Sequence, residues 1–395
     1  MTSASPTVPA RNVAIDAYRG LVMLLMMAEV LRFPEVAKSF PGDWFWNVLS
    51  YNQSHVQWAG CSLHDTIQPS FSFLVGVALP YSLASRAAKG KSFRNQLGHA
   101  MWRAFLLIVL GIFLRSMDKP QTYFTFEDTL TQIGLGYVFL FLLGYVKEKW
   151  LWISLAAILF AYWLVWALYP VAGPGFDWQA VGVPADWSHN YVGFMAHWNK
   201  NANVGNAFDQ WFLNLFPRTA PFVANEGGYL TLSFIPTLGT MILGLIAGRW
   251  IRRAAPEIPF QKFLLTGVAG LAAGLLLHAT GLCPVVKRIW TPSWTLFSGG
   301  ICFLFLAGFL WIIETRGYKK WAFPLAVIGM NSIAAYMIAH LMPQFLTSTF
   351  NIHMGPRAFA IAGVALQPLL EGAAILAVYW LILYWMYRRK LFLRI

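Results

Sequence analysis

The sequence predicts an all-α integral membrane protein, a bundle of about ten transmembrane helices with both termini on the cytoplasmic side. Three observations predict it. Hydrophobic residues fill 58% of the 395 positions and charged residues only 11%, too little charge to cover a soluble domain of this size. Ten stretches have the roughly 20 mostly apolar residues that a bilayer crossing needs. The basic loops also all follow even-numbered stretches, as the positive-inside rule expects of one membrane face.

The first span, 13–31, is apolar except for Asp16, Arg19 and Glu29. The second, 66–84, starts directly behind Asp65, and the third, 100–117, carries Arg103 near its beginning. Spans at 128–146 and 150–169 flank the short basic loop "KEK", and 228–248 leads into "GRWIRRAAPEIPFQK". The remaining four are 263–282, 293–313, 321–342 and 361–386, followed after the eighth by "ETRGYKK" and after the tenth by "YRRKLFLRI". About 18 Lys and Arg gather on the even-loop side and about nine on the other. The net charge of +13 therefore reflects loop asymmetry and does not call for a nucleic-acid partner.

This topology makes 1–12 a cytoplasmic segment, 13–390 a single transmembrane domain, and 391–395 a cytoplasmic tail. No cleavable signal precedes the first span. Three longer segments fall outside: 32–65, 170–227 and 343–360. The middle one is rich in Trp, Pro, Gly and Asn and reads as an irregular cap over the bundle, because so many aromatics would not stay solvated.

The chemistry-bearing residues sit at the span ends. In "HVQWAGCSLHDTIQP", His55 is the best candidate for a proton acceptor, since an imidazole titrates near neutral pH. Asp65 would fix its tautomer, and Trp58 would meet an apolar part of a substrate. Glu29 would lie level with this loop. Charges inside spans are costly and usually functional: Asp16 and Arg19, three apart, share a helix face. Arg19 and Arg103 together would hold an anionic group such as phosphate from the cytoplasmic side. Asn225 and Glu226, and Asn331 with Ser332, add polar groups at other spans. His278, His340 and His353 show no zinc spacing, and no metal is expected. The three cysteines form no metal-spaced pair; Cys61 and Cys283 would pair only if both face outward.

Five segments resemble, in order, the heparan-α-glucosaminide N-acetyltransferase family: "AIDAYRGLVMLLMM", "HVQWAGCSLHDTIQP", "NEGGYLTLSF", "VKRIWTPSW" and "GMNSIAAY". That resemblance implies acetyl transfer from cytosolic acetyl-CoA to an amino sugar or glycan acceptor across the membrane. It places the active-site histidine at His55 and implies a homodimer. A chain starting at the first core span looks like a bacterial inner-membrane homologue with His55 on the periplasmic side. Candidate catalytic residues are then His55, Asp65, Glu29 and Asn331, the last stabilising an oxyanion. Asp16, Arg19 and Arg103 are candidates for acetyl-CoA, and Trp58, Glu226 and Trp290 for the acceptor. Direct attack and an acetyl-histidine intermediate both fit. The rival readings are a solute transporter or lipid-linked-sugar flippase without chemistry, and an O-acyltransferase of envelope polysaccharide.

Overall fold

The computed structural model describes residues 12–184, 186–254 and 257–393; the expected N-terminal segment up to residue 11 and the last two residues of the tail lie outside these. The described chain is helical: α1 Val13–Met27, α2 Phe33–Lys38, α3 Trp44–Gln53, α4 Ile67–Ala88, α5 Phe93–Ser116, α6 Thr129–Leu143, α7 Glu148–Leu168, α8 Val204–Leu213, α9 Phe234–Ala254, α10 Phe260–Ala279, α11 Pro292–Phe309, α12 Phe323–Met330, α13 Ser332–Leu341, α14 Pro343–Met354 and α15 Gln367–Arg388. Among the described residues seven helices are long and apolar enough to cross a membrane, eight if α12 and α13 count as one span bent by 71°. The other two expected spans are helical as well. Each has 15 residues in α form, α1 carrying Asp16 in its first turn.

Small residues let the central helices touch backbone to backbone, the common solution where apolar burial gives no drive in lipid. A Cβ added at Gly244 of α9 would stand 1.9 Å from the Phe73 carbonyl oxygen of α4. A Cβ at Gly329 of α12 would stand 1.9 Å from the Asp16 carbonyl oxygen of α1. These two contacts fix α4 and α1, the helices that carry Asp65 and Arg19 at or near their ends.

The outer segment 32–65 contains α2 and α3, which the hydrophobic pattern did not announce: none of the α3 side chains is buried. Segment 170–227 folds as short turns plus α8 and packs on a second aromatic core around Trp58, Trp166 and Trp198. Asparagine amides fasten it by imitating backbone. Asn201 Nδ2 donates to the carbonyls of Val181 at 2.9 Å and Asn225 at 3.0 Å. Asn199 both accepts from Tyr191 N–H and donates to its carbonyl.

Candidate active site

α3 ends at Ser54, whose extended backbone starts an irregular stretch running to Asp65. Ala59 forms an antiparallel bridge with Val286, and Gly60 N–H donates to the Val285 carbonyl at 3.1 Å. His55 therefore lies beside Lys287. Asp65, in the turn that opens α4, receives five donors. Its Oδ2 accepts from Val56 N–H, Ser62 N–H and Ser62 Oγ at 3.2, 3.1 and 3.0 Å. Its Oδ1 accepts from His55 Nδ1 at 2.7 Å and from Lys287 Nζ at 3.3 Å. A carboxylate can only accept, so His55 carries its proton on Nδ1 and leaves Nε2 bare. Lys287 Nζ also stands 3.1 Å from Nδ1. Two donors cannot bond each other, so this is apposition of a cation and not a hydrogen bond.

The electrostatics favour a neutral imidazole. Burial pushes the His55 pKa below 6.5 and Lys287 adds to this, while Asp65 pulls the other way. The side chain is still 36% exposed, against 1% for Asp65. Lys287 is 5% exposed, and burial brings it down to about 8 with Asp65 opposing.

His55 opens on a cavity of about 920 Å³, also lined by Glu29, Glu226, Lys287 and Tyr336. A second cavity of about 830 Å³ is lined by Arg19, Arg86, Lys89, Lys91 and Arg103 with no carboxylate among its described residues. Phe71 lines both and stacks on Tyr336, centroids 6.4 Å apart and planes 12° apart. The two cavities thus share one lining residue, Phe71 of α4, among those described. One reaches Ile67 and the other Arg86, about 29 Å at the helical rise of 1.5 Å per residue, close to a bilayer's hydrocarbon thickness of about 30 Å.

No protein-family model matches the chain. It does align with human heparan-alpha-glucosaminide N-acetyltransferase, 22% identical over 98% of this chain and 60% of that protein. The mouse protein of the same name aligns at 22% identity over 96% of the chain and 60% of its own length. The chain is thus similar in sequence to the heparan-alpha-glucosaminide N-acetyltransferases. It spans about 60% of the length of these curated relatives.

The residues singled out by likeness to these N-acetyltransferases fall into three groups. His55, Asp65, Glu29 and Glu226 come together, three of them on the cavity wall and Asp65 just behind His55. Arg19 and Arg103 share the basic cavity, with Asp16 Oδ1 at 3.5 Å from Arg19. Arg103 donates to Tyr137 Oη at 3.1 Å, and its Nε is buried without a partner. Three candidates are placed elsewhere. Trp58 is fully buried with its indole N–H on the Trp198 carbonyl at 3.1 Å, an anchor for the 170–227 segment. Trp290 is 1% exposed and donates to Thr240 Oγ1. Asn331 sits in the break between α12 and α13, donating to the Leu391 carbonyl at 2.8 Å and accepting from Leu393 N–H at 3.1 Å. It pins the tail beside the basic cavity and does not line the cavity of His55.

Lys287, not among the residues singled out from the sequence, joins the His55–Asp65 pair. Its signal was the "VKRIWTPSW" segment, in which it is the only lysine. All three cysteines are free thiols. Among the described residues no group of three or more His, Cys, Asp or Glu is placed to hold a metal.

Proposed function

We propose that the chain is a transmembrane acetyltransferase that moves an acetyl group from acetyl-CoA to an amine of a sugar or glycan. The observation that carries the reading is the His55–Asp65 pair opening on one cavity while a second, whose Lys and Arg are unaccompanied by any carboxylate among the described lining residues, shares Phe71 with it. Kinship with membrane N-acetyltransferases supports it.

In this account the phosphates of acetyl-CoA rest among Arg19, Arg86, Lys89, Lys91 and Arg103, where charge-assisted bonds suit them. The basic loops favour the cytoplasm for that side under the positive-inside rule. The thioester reaches past Phe71 toward His55. Nε2 takes a proton from the acceptor amine as its nitrogen attacks the thioester carbonyl. The C–N bond forms, the C–S bond breaks, and the imidazolium returns the proton to the thiolate, which leaves as CoA. Holding both substrates at one partition supplies part of the rate by proximity. Glu29 and Glu226 attract the amine in its ammonium form before it loses its proton.

Purified protein incubated with labelled acetyl-CoA and glucosamine tests the reading. Acceptor-dependent release of CoA supports it; thioester that stays intact with either substrate defeats it. A carrier is the second reading, favoured by the two cavities sharing Phe71. It would move a solute with no thioester loss and has no evident need of the Asp65 cradle.

A further inference from the structure

Lys287 is a buried ammonium whose ion-pair partner among the described residues is Asp65. Its charge is spent on Asp65 Oδ1, the same oxygen that receives the His55 Nδ1 proton. The backbone around it is held by unusual means. Trp290, three residues on, adopts a left-handed φ of 48°, rare for a bulky residue and a mark of stored strain, and its N–H closes a turn onto the Lys287 carbonyl at 2.9 Å. Arg288 then ties the loop to the Val56 carbonyl through Nε at 3.3 Å and to the Gly227 carbonyl at 2.7 Å. The effect is to press one specific cation against the imidazole.

We propose that Lys287 is a positioning residue that sets the proton balance of the His55–Asp65 pair. By sharing Oδ1 it weakens the carboxylate's hold on an imidazolium. His55 then stays unprotonated before reaction and gives its captured proton onward to the departing thiolate. This inference rests on the acetyl-transfer reading.

The other groups facing His55 do not do this. His64 lies against it, ring centroids 4.6 Å apart, and Tyr229 at 6.5 Å. Arg288 adds a weaker effect of the same sign as Lys287. Glu29 and Glu226 line the same cavity, and Arg115, Glu127 and Asp128 lie farther round it. All of these remain when Lys287 alone is changed.

The test is the pH profile of acetyl transfer by the full-length Lys287→Met protein. The acidic limb is expected to move up by about one pH unit, so that activity below the limb falls about tenfold while activity near pH 9 stays within threefold of wild type. Lys287→Arg should leave the limb in place. A loss equal at every pH, or no change at all, overturns the inference and leaves Lys287 a packing residue. If the methionine variant does not accumulate folded, Lys287→Gln, which keeps a donor for Asp65 without the charge, is read in the same way. Carbethoxylation of His55 followed by peptide mass spectrometry gives the same shift without turnover. A wild-type protein lacking transferase activity therefore defeats the proposed function separately from this inference.

Discussion

His55 Nδ1 lies 2.7 Å from Asp65 Oδ1, and that contact decides which ring nitrogen is free to react. Asp65→Asn preserves the shape but replaces an acceptor-only group with one that can present a donor. The tautomer is then no longer enforced. His55→Ala should lower acetyl transfer by about 10²–10⁴-fold, the range for losing a general base. Asp65→Asn should fall within the same range, with acetyl-CoA affinity little changed in both. Initial rates and equilibrium binding on the two variants check this.

The acidic limb of the wild-type profile follows from burial of His55, which lowers its pKa from 6.5. The neutral form is the active one, so rate is lost as pH falls through that lowered value. The limb midpoint should lie below 6.5 and pH 7 should sit on the plateau. A kcat/KM profile from pH 5 to 9 measures it.

Phe71 is the only residue lining both cavities among those described, and it rests on Tyr336, whose hydroxyl donates to Asp128 Oδ2 at 3.0 Å. A larger ring there should close the passage. Phe71→Trp is expected to cut transfer at least tenfold while acetyl-CoA binding stays within about twofold, since the basic side chains of the cationic cavity are unchanged. Binding by isothermal titration beside turnover separates the two effects.

Arg103 faces the basic cavity with a buried, unpartnered Nε. A charge-assisted hydrogen bond is worth about 1.5–3 kcal/mol, so Arg103→Gln should raise the KM for acetyl-CoA about tenfold or more with a smaller change in kcat. The effect should shrink as salt is added. Turnover at two ionic strengths checks it.

Asn331 holds the tail through both amide atoms. Asn331→Ala removes both bonds to the tail, at about 0.5–1.5 kcal/mol each, since Leu391 and Leu393 are about half exposed and water can replace the amide. The expected result is a raised KM for acetyl-CoA, because Leu393 lines the basic cavity, with an unshifted pH profile. A shifted profile would return Asn331 to the chemistry.

The helices were legible because lipid demands long apolar runs, and His55 with Asp65 because both fall within one short quoted stretch. Lys287 was not, since it comes 232 residues after His55 and tertiary contacts such as the Ala59–Val286 bridge bring it back. The placing of Trp58 in a buried core was not legible, because an indole suits a sugar face and an aromatic core equally. Nor was the hold of Asn331 on the tail, because a polar residue inside an apolar span can serve a ligand, a neighbouring helix or a stretch of backbone. α3 escaped because its apolar side chains Trp44, Phe45 and Tyr51 face outward, with no buried stripe to betray the helix.

The central claim is that a thioester on the basic side and an amine on the His55 side meet at one partition. Proteoliposomes test it most directly, with labelled acetyl-CoA on the basic-loop side and glucosamine on the other. The account predicts N-acetylglucosamine carrying the label in the glucosamine compartment, CoA accumulating where acetyl-CoA was added, and neither with His55→Ala. Labelled product on the acetyl-CoA side alone, or undiminished transfer by His55→Ala, would contradict it.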